Sequence, residues 1–277
     1  MSLPVFLAVM GAALLHAVWN ALLRRGGSKV RTMALMSVAE MGIGAAIALS
    51  RPLPHPAAWK WLAATTVAQM AYKFCLAQAY QRGDLSRVYP LARGTAPMLV
   101  ALVSALFAID QISAGGYLGI GLLGIGLLFM ARDSFRTGEG LRMLPFALGS
   151  AVATASYTLI DGIGGRVSGD VIGYVGWLLL FSGASFSAAT ALHRPTLLRA
   201  VPREWVMAVG AALISYIAYA VPVWAMTRAP IALVAVLRET SILFAVLIGW
   251  LVFRERMTPG KALAAGLIVA GVMMTRV

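Results

Sequence analysis

Apolar runs long enough to cross a bilayer follow one another from one end of this chain to the other. Nothing between them is long enough to fold by itself. A spanning helix needs about 20 mostly apolar residues. Charges and prolines divide the chain into ten such segments: 4–23, 32–50, 59–80, 88–109, 114–131, 144–162, 170–192, 204–227, 230–252 and 259–276. The connections "RPLPHPAAWK" and "HRPTLLRAVPRE" have room for more than a turn. The sequence therefore predicts an all-α integral membrane protein with ten transmembrane helices and no soluble domain. The first segment has no basic stretch ahead of its apolar core, and arginines follow it. It reads as a membrane helix, not as a cleaved signal.

Composition narrows the function classes. The chain is 60% hydrophobic and only 12% charged, whereas soluble domains carry about a quarter charged residues. The net charge of +13 does not point to nucleic acid. The basic residues stand singly between apolar runs and form no polar face. One cysteine, Cys75, rules out an internal disulfide framework. The three histidines lie in separate segments without metal-ligand spacing, and no nucleophile sits beside a base. We expect no enzyme, no metal and no cofactor. Neither a filter motif nor a repeated polar ring speaks for a channel. Glycine is plentiful, with 28 residues, and clusters as "GGYLGIGLLGIG". Small residues let membrane helices approach closely, so these glycines read as packing positions. No strand or Walker lysine makes "GIGLLG" a phosphate loop.

The chain repeats itself. At a constant offset, Arg93 meets Arg238, Thr95 meets Thr240, Gly115 meets Gly260, Gly126 meets Gly271, and Asp110 meets Glu255. Upstream, "HAVWNALLRRGG" and "TASYTLIDGIGG" align Ala17 with Ala155, Trp19 with Tyr157 and Gly26 with Gly164. Two five-helix units follow, at 1–136 and 137–277. An odd number of spans per unit forces opposite orientations, and equivalent loops agree. "RRGGSKVR" after span one is basic and its counterpart "GGRVSGD" nearly bare; "AIDQIS" after span four is bare and "FRERMTPGK" basic. That is the signature of inverted repeats.

Ten short helices in two inverted five-helix halves resemble the drug/metabolite transporter superfamily, and within it the EamA-type members. In those proteins the fourth helix of each half ends in a small-residue/Glu turn before a glycine-bearing fifth helix. "FRERMTPGKALAAGLIVAGVMM" (253–274) is similar to that pattern; "AIDQISAGGYLGIGLLGIGLL" (108–128) has Asp110 in place of the usual glutamate. "YPLARGTAPMLVALVSALF" and "VLRETSILFAVLIGWLVF" resemble the two fourth helices. The resemblance covers the whole chain and identifies the superfamily, not the substrate. It implies a substrate cavity between the halves, near the membrane midplane, opened alternately to each side.

Charges within spans usually face the bundle interior or a wet cavity. Arg93 and Arg238 share one repeat position, which predicts opposite walls of a central cavity. The competing reading is that each pins a neighbouring helix. Adjacent helical positions diverge by about 100°, so Arg238 and Glu239 are expected to face different targets. Glu239 then either pairs across helices with Lys73 or Arg93, or is a protonatable cavity group; its repeat partner is Gly94. Glu40 and Lys73 form the economical ion pair, the alternative being a proton site on Glu40 tuned by Lys73. Asp161, near the end of span six, is expected to be solvent-exposed. His16 stands mid-span, one turn from Trp19 and Asn20, and is either a proton carrier or a packing residue. The repeat equivalence of Trp19 and Tyr157 favours a cavity-facing pair, with Tyr89 a further aromatic at a span end. The substrate-binding candidates are thus Arg93, Arg238, Trp19, Tyr157, Tyr89 and Asn20. The coupling candidates are Glu239, Glu40, His16 and Lys73.

Mid-span Lys73, Arg93 and Arg238 outweigh Glu40 and Glu239, which favours carboxylate-, phosphonate- or amino-acid-like substrates. The expected function is secondary transport of a small anionic or zwitterionic metabolite, amino-acid- or organic-acid-like, by alternating access. The partners are that small molecule, the lipid bilayer and, as a candidate coupling ion, the proton; the chain is expected to work as a monomer. A multidrug-type exporter of lipophilic cations is the alternative, and a non-transporting membrane protein or enzyme a weaker one. The loops after odd-numbered spans carry most of the lysine and arginine. They should face the cytoplasm, leaving both termini outside the plasma (inner) membrane. A C-terminal alkaline phosphatase fusion should then be active and a C-terminal fluorescent-protein fusion dark. The opposite result would reverse the topology.

Overall fold

The computed structural model describes residues 1–23, 29–82, 85–131, 140–252, 254 and 258–275; within these, the side chains of 19–23, 29–30, 80, 85–93, 130–131, 140–141 and 261 are not described. The helices are α1 (Leu3–Leu23), α2 (Lys29–Ser50), α3 (Trp59–Arg82), α4 (Leu85–Leu106), α5 (Ala114–Ala131), α6 (Gly140–Val167), α7 (Val171–His193), α8 (Pro202–Met226), α9 (Ile231–Arg238), α10 (Ser241–Leu251) and α11 (Pro259–Met274). Among the described residues no strand is present. Two of the connections hold short 3-10 turns, Pro56–Ala58 and Pro195–Leu198. Proline opens both turns, α8 and α11, since its missing N–H is no loss at a helix start.

Five segments are long and apolar enough to cross a membrane: Arg31–Ser50, Arg142–Val167, Val171–His193, Pro202–Met226 and Ile231–Leu251, the last combining α9 and α10. Shorter apolar helices fill Leu3–Val18, Gly94–Leu106, Ala114–Phe129 and Ala262–Met274. Large apolar side chains such as Leu49, Leu106, Phe107 and Val206 are exposed. On a chain this apolar, they form the face turned to lipid.

Helix pairs are drawn together where glycine removes a side chain. α2 packs on α7, α3 on α6, α5 on α11, α4 on α6, and α1 on α8. A Cβ added at Gly183 would lie 2.7 Å from the Met41 nitrogen and the Ser37 carbonyl oxygen. At Gly44 it would lie 2.5 Å from the Leu180 nitrogen. In the second seam, a Cβ on Gly119 would stand 2.7 Å from the Gly271 oxygen, and one on Gly271 equally close to the Gly119 oxygen. Backbone therefore touches backbone, as membrane helices need when lipid gives no hydrophobic drive.

Span six differs from its sequence assignment. The helix continues to Val167, five residues past the expected edge. Gly162, Gly164 and Gly165, which read as the approach to a turn, carry the side chains of Ile231, Tyr174 and Val223 instead. Asp161 is consequently inside the bundle, only 1% exposed. The expectation that it meets solvent was wrong.

Span nine is divided. α9 is buried along its whole length, and it packs on α4, α1, α8 and α5. At Glu239 and Thr240 the backbone ladder tightens to bonds three residues back, Glu239 N to Val236 O and Thr240 N to Leu237 O. The cause is local: the Thr240 hydroxyl donates to the Leu237 carbonyl at 2.6 Å and competes with the regular ladder. At the other end of α9, Asp110 accepts from the Ile231 N–H at 2.8 Å and pairs with Arg166 at 2.8 Å. Arg166 also donates to the carbonyls of Met226 and Ala229. One acid and one arginine thereby tie the α4–α5 connection, the end of α6 and the α8–α9 connection.

The seams make a contrast that thermal unfolding in detergent can read. Gly183→Val and Gly271→Val should each cost about 1–3 kcal/mol by overpacking. Gly210 and Gly266 face open space, so changing either to alanine should leave the melting temperature unchanged or slightly raised.

Candidate functional site

The polar side chains of the bundle interior converge on one cavity of ≈ 180 Å³. His16 from α1, Glu40 and Ser37 from α2, and Gln69, Tyr72 and Lys73 from α3 line one part of it. Tyr157 from α6, Ser182 from α7, Ser215 and Tyr219 from α8, and Arg238 from α9 line the rest. Each helix delivers its polar group from a mid-span position otherwise surrounded by apolar residues. The wall is two-toned for that reason.

Lys73 and Glu40 stand 3.6 Å apart. Lys73 also donates to the Ser37 hydroxyl at 3.3 Å and lies over the Phe186 ring, 5.1 Å from its centroid. The sequence suggested this pair, and its geometry leaves Lys73 within reach of the cavity through a ring, a hydroxyl and one carboxylate. Glu239 does not pair with Lys73.

Arg238 and Glu239 are 7% and 1% exposed, and Arg238 Nε lies 3.5 Å from Glu239 Oε1. The two neighbours touch because a long arginine side chain can reach its neighbour, yet only Arg238 lines the cavity, so they do face different targets. The division of span nine also suits both charges. Arg238 closes α9, where the helix dipole favours a cation; Glu239 precedes α10, where it favours an anion. Arg238 further reaches the Thr158 hydroxyl at 3.4 Å. Arg238 is on the cavity wall and Glu239 stands behind it.

Aromatic rings floor the cavity. Tyr157 meets Tyr72 edge-on at 5.5 Å between centroids and Tyr219 tilted at 6.3 Å. Tyr219 accepts from Gln69 Nε2 at 3.0 Å and donates to Asp161 Oδ2. Tyr174 donates to the other oxygen of Asp161 at 3.2 Å.

Of the residues singled out from sequence, His16, Glu40, Lys73, Tyr157 and Arg238 share this cavity. The side chains of Trp19, Asn20, Tyr89 and Arg93 lie outside the described residues. Asp161 was expected at the solvent and stands behind this wall instead; Tyr174 and Gln69 were missed. The usable signal was the glycine spacing after Asp161, which continues a helical packing face rather than ending a span.

A second half with this packing has a recognised pattern. Residues 141–277 match the model of the EamA-like transporter family. The chain belongs to that family. EamA-like proteins are transporters and not enzymes. No curated protein matches the chain. A solved crystal structure titled only as that of a protein is similar over 99% of this chain and 98% of its own, with a TM-score of 0.80 and 19% identity. At that identity the likeness speaks for the fold alone, and it extends along the entire EamA-like chain.

The pair in the cavity wall has a measurable coupling. Lys73→Met leaves Glu40 without its cation and should destabilise the protein by on the order of 2 kcal/mol. Adding Glu40→Met should restore most of that loss. If the single and double variants melt alike, the two groups are not coupled.

Proposed function

We propose that this EamA-like protein is a secondary transporter of a small anionic or zwitterionic metabolite, amino-acid- or organic-acid-like, working by alternating access. The observation that carries the reading is the cavity wall: Arg238 and Lys73 stand on it against one acid, Glu40. A guanidinium donates two parallel hydrogen bonds to a carboxylate. The Glu40–Lys73 pair adds both signs to the same wall, which suits the ammonium and carboxylate of a zwitterion. The three-tyrosine floor encloses the remainder of a small solute.

The packing supports two inverted five-helix repeats at 1–136 and 137–277. In units of spans, two packs on seven and five on ten, while three on six is matched by one on eight. Each is the pairing that a two-fold exchange of the halves requires. In such a frame the cavity lies between the halves. Arg93 is the repeat counterpart of Arg238 and is proposed as the second arginine facing the substrate. Trp19, Asn20 and Tyr89 are proposed to complete the wall. The protein is placed in the plasma membrane, termini outside, and acts as a monomer in this reading.

The test is ligand binding and flux on purified protein. L-glutamate, L-alanine and succinate should raise the melting temperature in detergent and move across proteoliposomes. Tetraphenylphosphonium should do neither; stabilisation by it alone would favour a lipophilic-cation exporter, for which the tyrosine floor and Glu40 are the natural site. Arg238→Lys keeps the charge and loses the fork. It should weaken binding about tenfold, or about 1.4 kcal/mol, with the melting temperature of the free protein retained. Arg238→Ala should cost more. Unchanged affinity in both folded variants rules out the substrate contact.

A further inference from the structure

Asp161 has no ion pair among the described residues, yet it is buried at mid-bundle. Two phenols donate to it, Tyr174 from α7 on Oδ1 and Tyr219 from α8 on Oδ2, with the Thr65 hydroxyl beside it. An acid kept only to fasten helices is normally matched with a cation. An amide would accept one of these bonds as well as a carboxylate does. What the carboxyl adds is the capacity to take up and release a proton.

Its placement gives that capacity a route. Tyr219 and Gln69 line the cavity, and Asp161 lies one phenol behind them. The row Gln69–Tyr219–Asp161–Tyr174 crosses α3, α8, α6 and α7. Gly164, one turn beyond Asp161, makes room for the far phenol. A Cβ there would stand 2.6 Å from Tyr174 Cζ and 2.9 Å from Trp61 Cβ. The first unit has Leu23 where the second has Asp161, so the acid belongs to one half alone. The other groups facing it are Thr65 from α3, Tyr157 from its own helix by way of Tyr219, and Arg238 from α9, whose charge acts on Asp161 through space. Glu239 stands beyond Arg238. The basic side chains of α4 lie outside the described residues.

The geometry points to Asp161 as the proton-binding residue of the transport cycle, with Tyr219 relaying the proton between it and the cavity. This rests on the transporter reading given above. In the uptake step, Tyr219 passes its hydroxyl proton to Asp161 Oδ2 and takes one from a protonated cavity water, a hydronium ion, which is left as neutral water. The phenol ends unchanged, and Asp161 goes from one negative charge to none. Release runs the same transfers backwards. Arg238 couples this step to the substrate. While Asp161 is ionised it offsets the field of Arg238; once protonated, it leaves that field to an anionic guest. Proton and anion then favour each other's binding, and by linkage the effect is mutual. Two sites filled together and carried together make a proton symporter. The coupling residue is thus Asp161, in place of Glu239, Glu40, His16 or Lys73.

The first experiment is an infrared pH titration of the purified protein, reading the carbonyl stretch of protonated carboxyl groups. The wild type should show a band that titrates with pH. Asp161→Asn, which keeps the shape and one acceptor, should lack it; Glu40→Gln should retain it; and Tyr219→Phe should shift it. Melting temperature checks that each variant is folded. Identical bands in wild type and Asp161→Asn overturn the proposal. The second experiment uses proteoliposomes with radiolabelled L-glutamate or succinate. An inward-directed proton gradient should drive accumulation by the wild type. Asp161→Asn should still exchange the same probe, at an altered affinity, without concentrating it. Accumulation by Asp161→Asn under that gradient, or accumulation that follows sodium and ignores pH, overturns it. A titrating Asp161 band with no flux of either probe supports the proton site and removes the substrate reading. Flux without an Asp161 band does the reverse.

Discussion

Hydrocarbon offers a peptide group nothing to bond with, and the rest of this structure depends on that constraint. Every buried N–H, C=O and charge must find its partner inside the chain. Helices settle the backbone, and glycine seams bring the helices together. Ions survive in the middle only beside groups that answer them. Lys73 has Glu40, a hydroxyl and a ring. Arg238 has Glu239 and Thr158. Asp161 has two phenols. Because those partners come from different helices, the polar groups gather at one place, and the cavity opens there.

The close seams and the open cavity are complementary results of side-chain size. Where α2 meets α7 and α5 meets α11, small residues let backbones touch. Where tyrosine, glutamine and arginine point inward, they hold the helices apart and leave water-sized space. α9 sits between these regimes, buried on all sides and ending in the one arginine of the described cavity wall. The Thr240 back-bond alters the ladder immediately after that arginine. The change of ladder therefore comes beside the cavity arginine, in the middle of span nine.

Much of this was legible in the sequence, for physical reasons. Lipid demands long apolar runs, so charge and proline punctuation located the helices to within a few residues. The Glu40–Lys73 pair was legible because two opposite charges in mid-span have few alternatives. Asp161 was misread because Asp, Gly and Gly together look like the end of a span; in the folded chain the same glycines are the contact face of a helix that runs on. The divergence of Arg238 and Glu239 was legible, but not their mutual contact, because ideal helical angles say where a Cβ points, not where a long side chain ends. Tyr174 gave no warning, since a tyrosine in a span is as ready to sit at the lipid interface as to serve a buried acid.

The clasp at the start of α9 bears on how the chain is made. Asp110 and Arg166 leave the ribosome before Ile231, so the cap and the cation are already in the bilayer when α9 arrives. The last helices close onto a finished receptor. A gene rearranged to translate residues 137–277 first would reverse that order. Its α9 would enter with Arg166 present and the Ile231 N–H uncapped until Asp110 followed. Both partners of the clasp thus precede α9 in the order of synthesis.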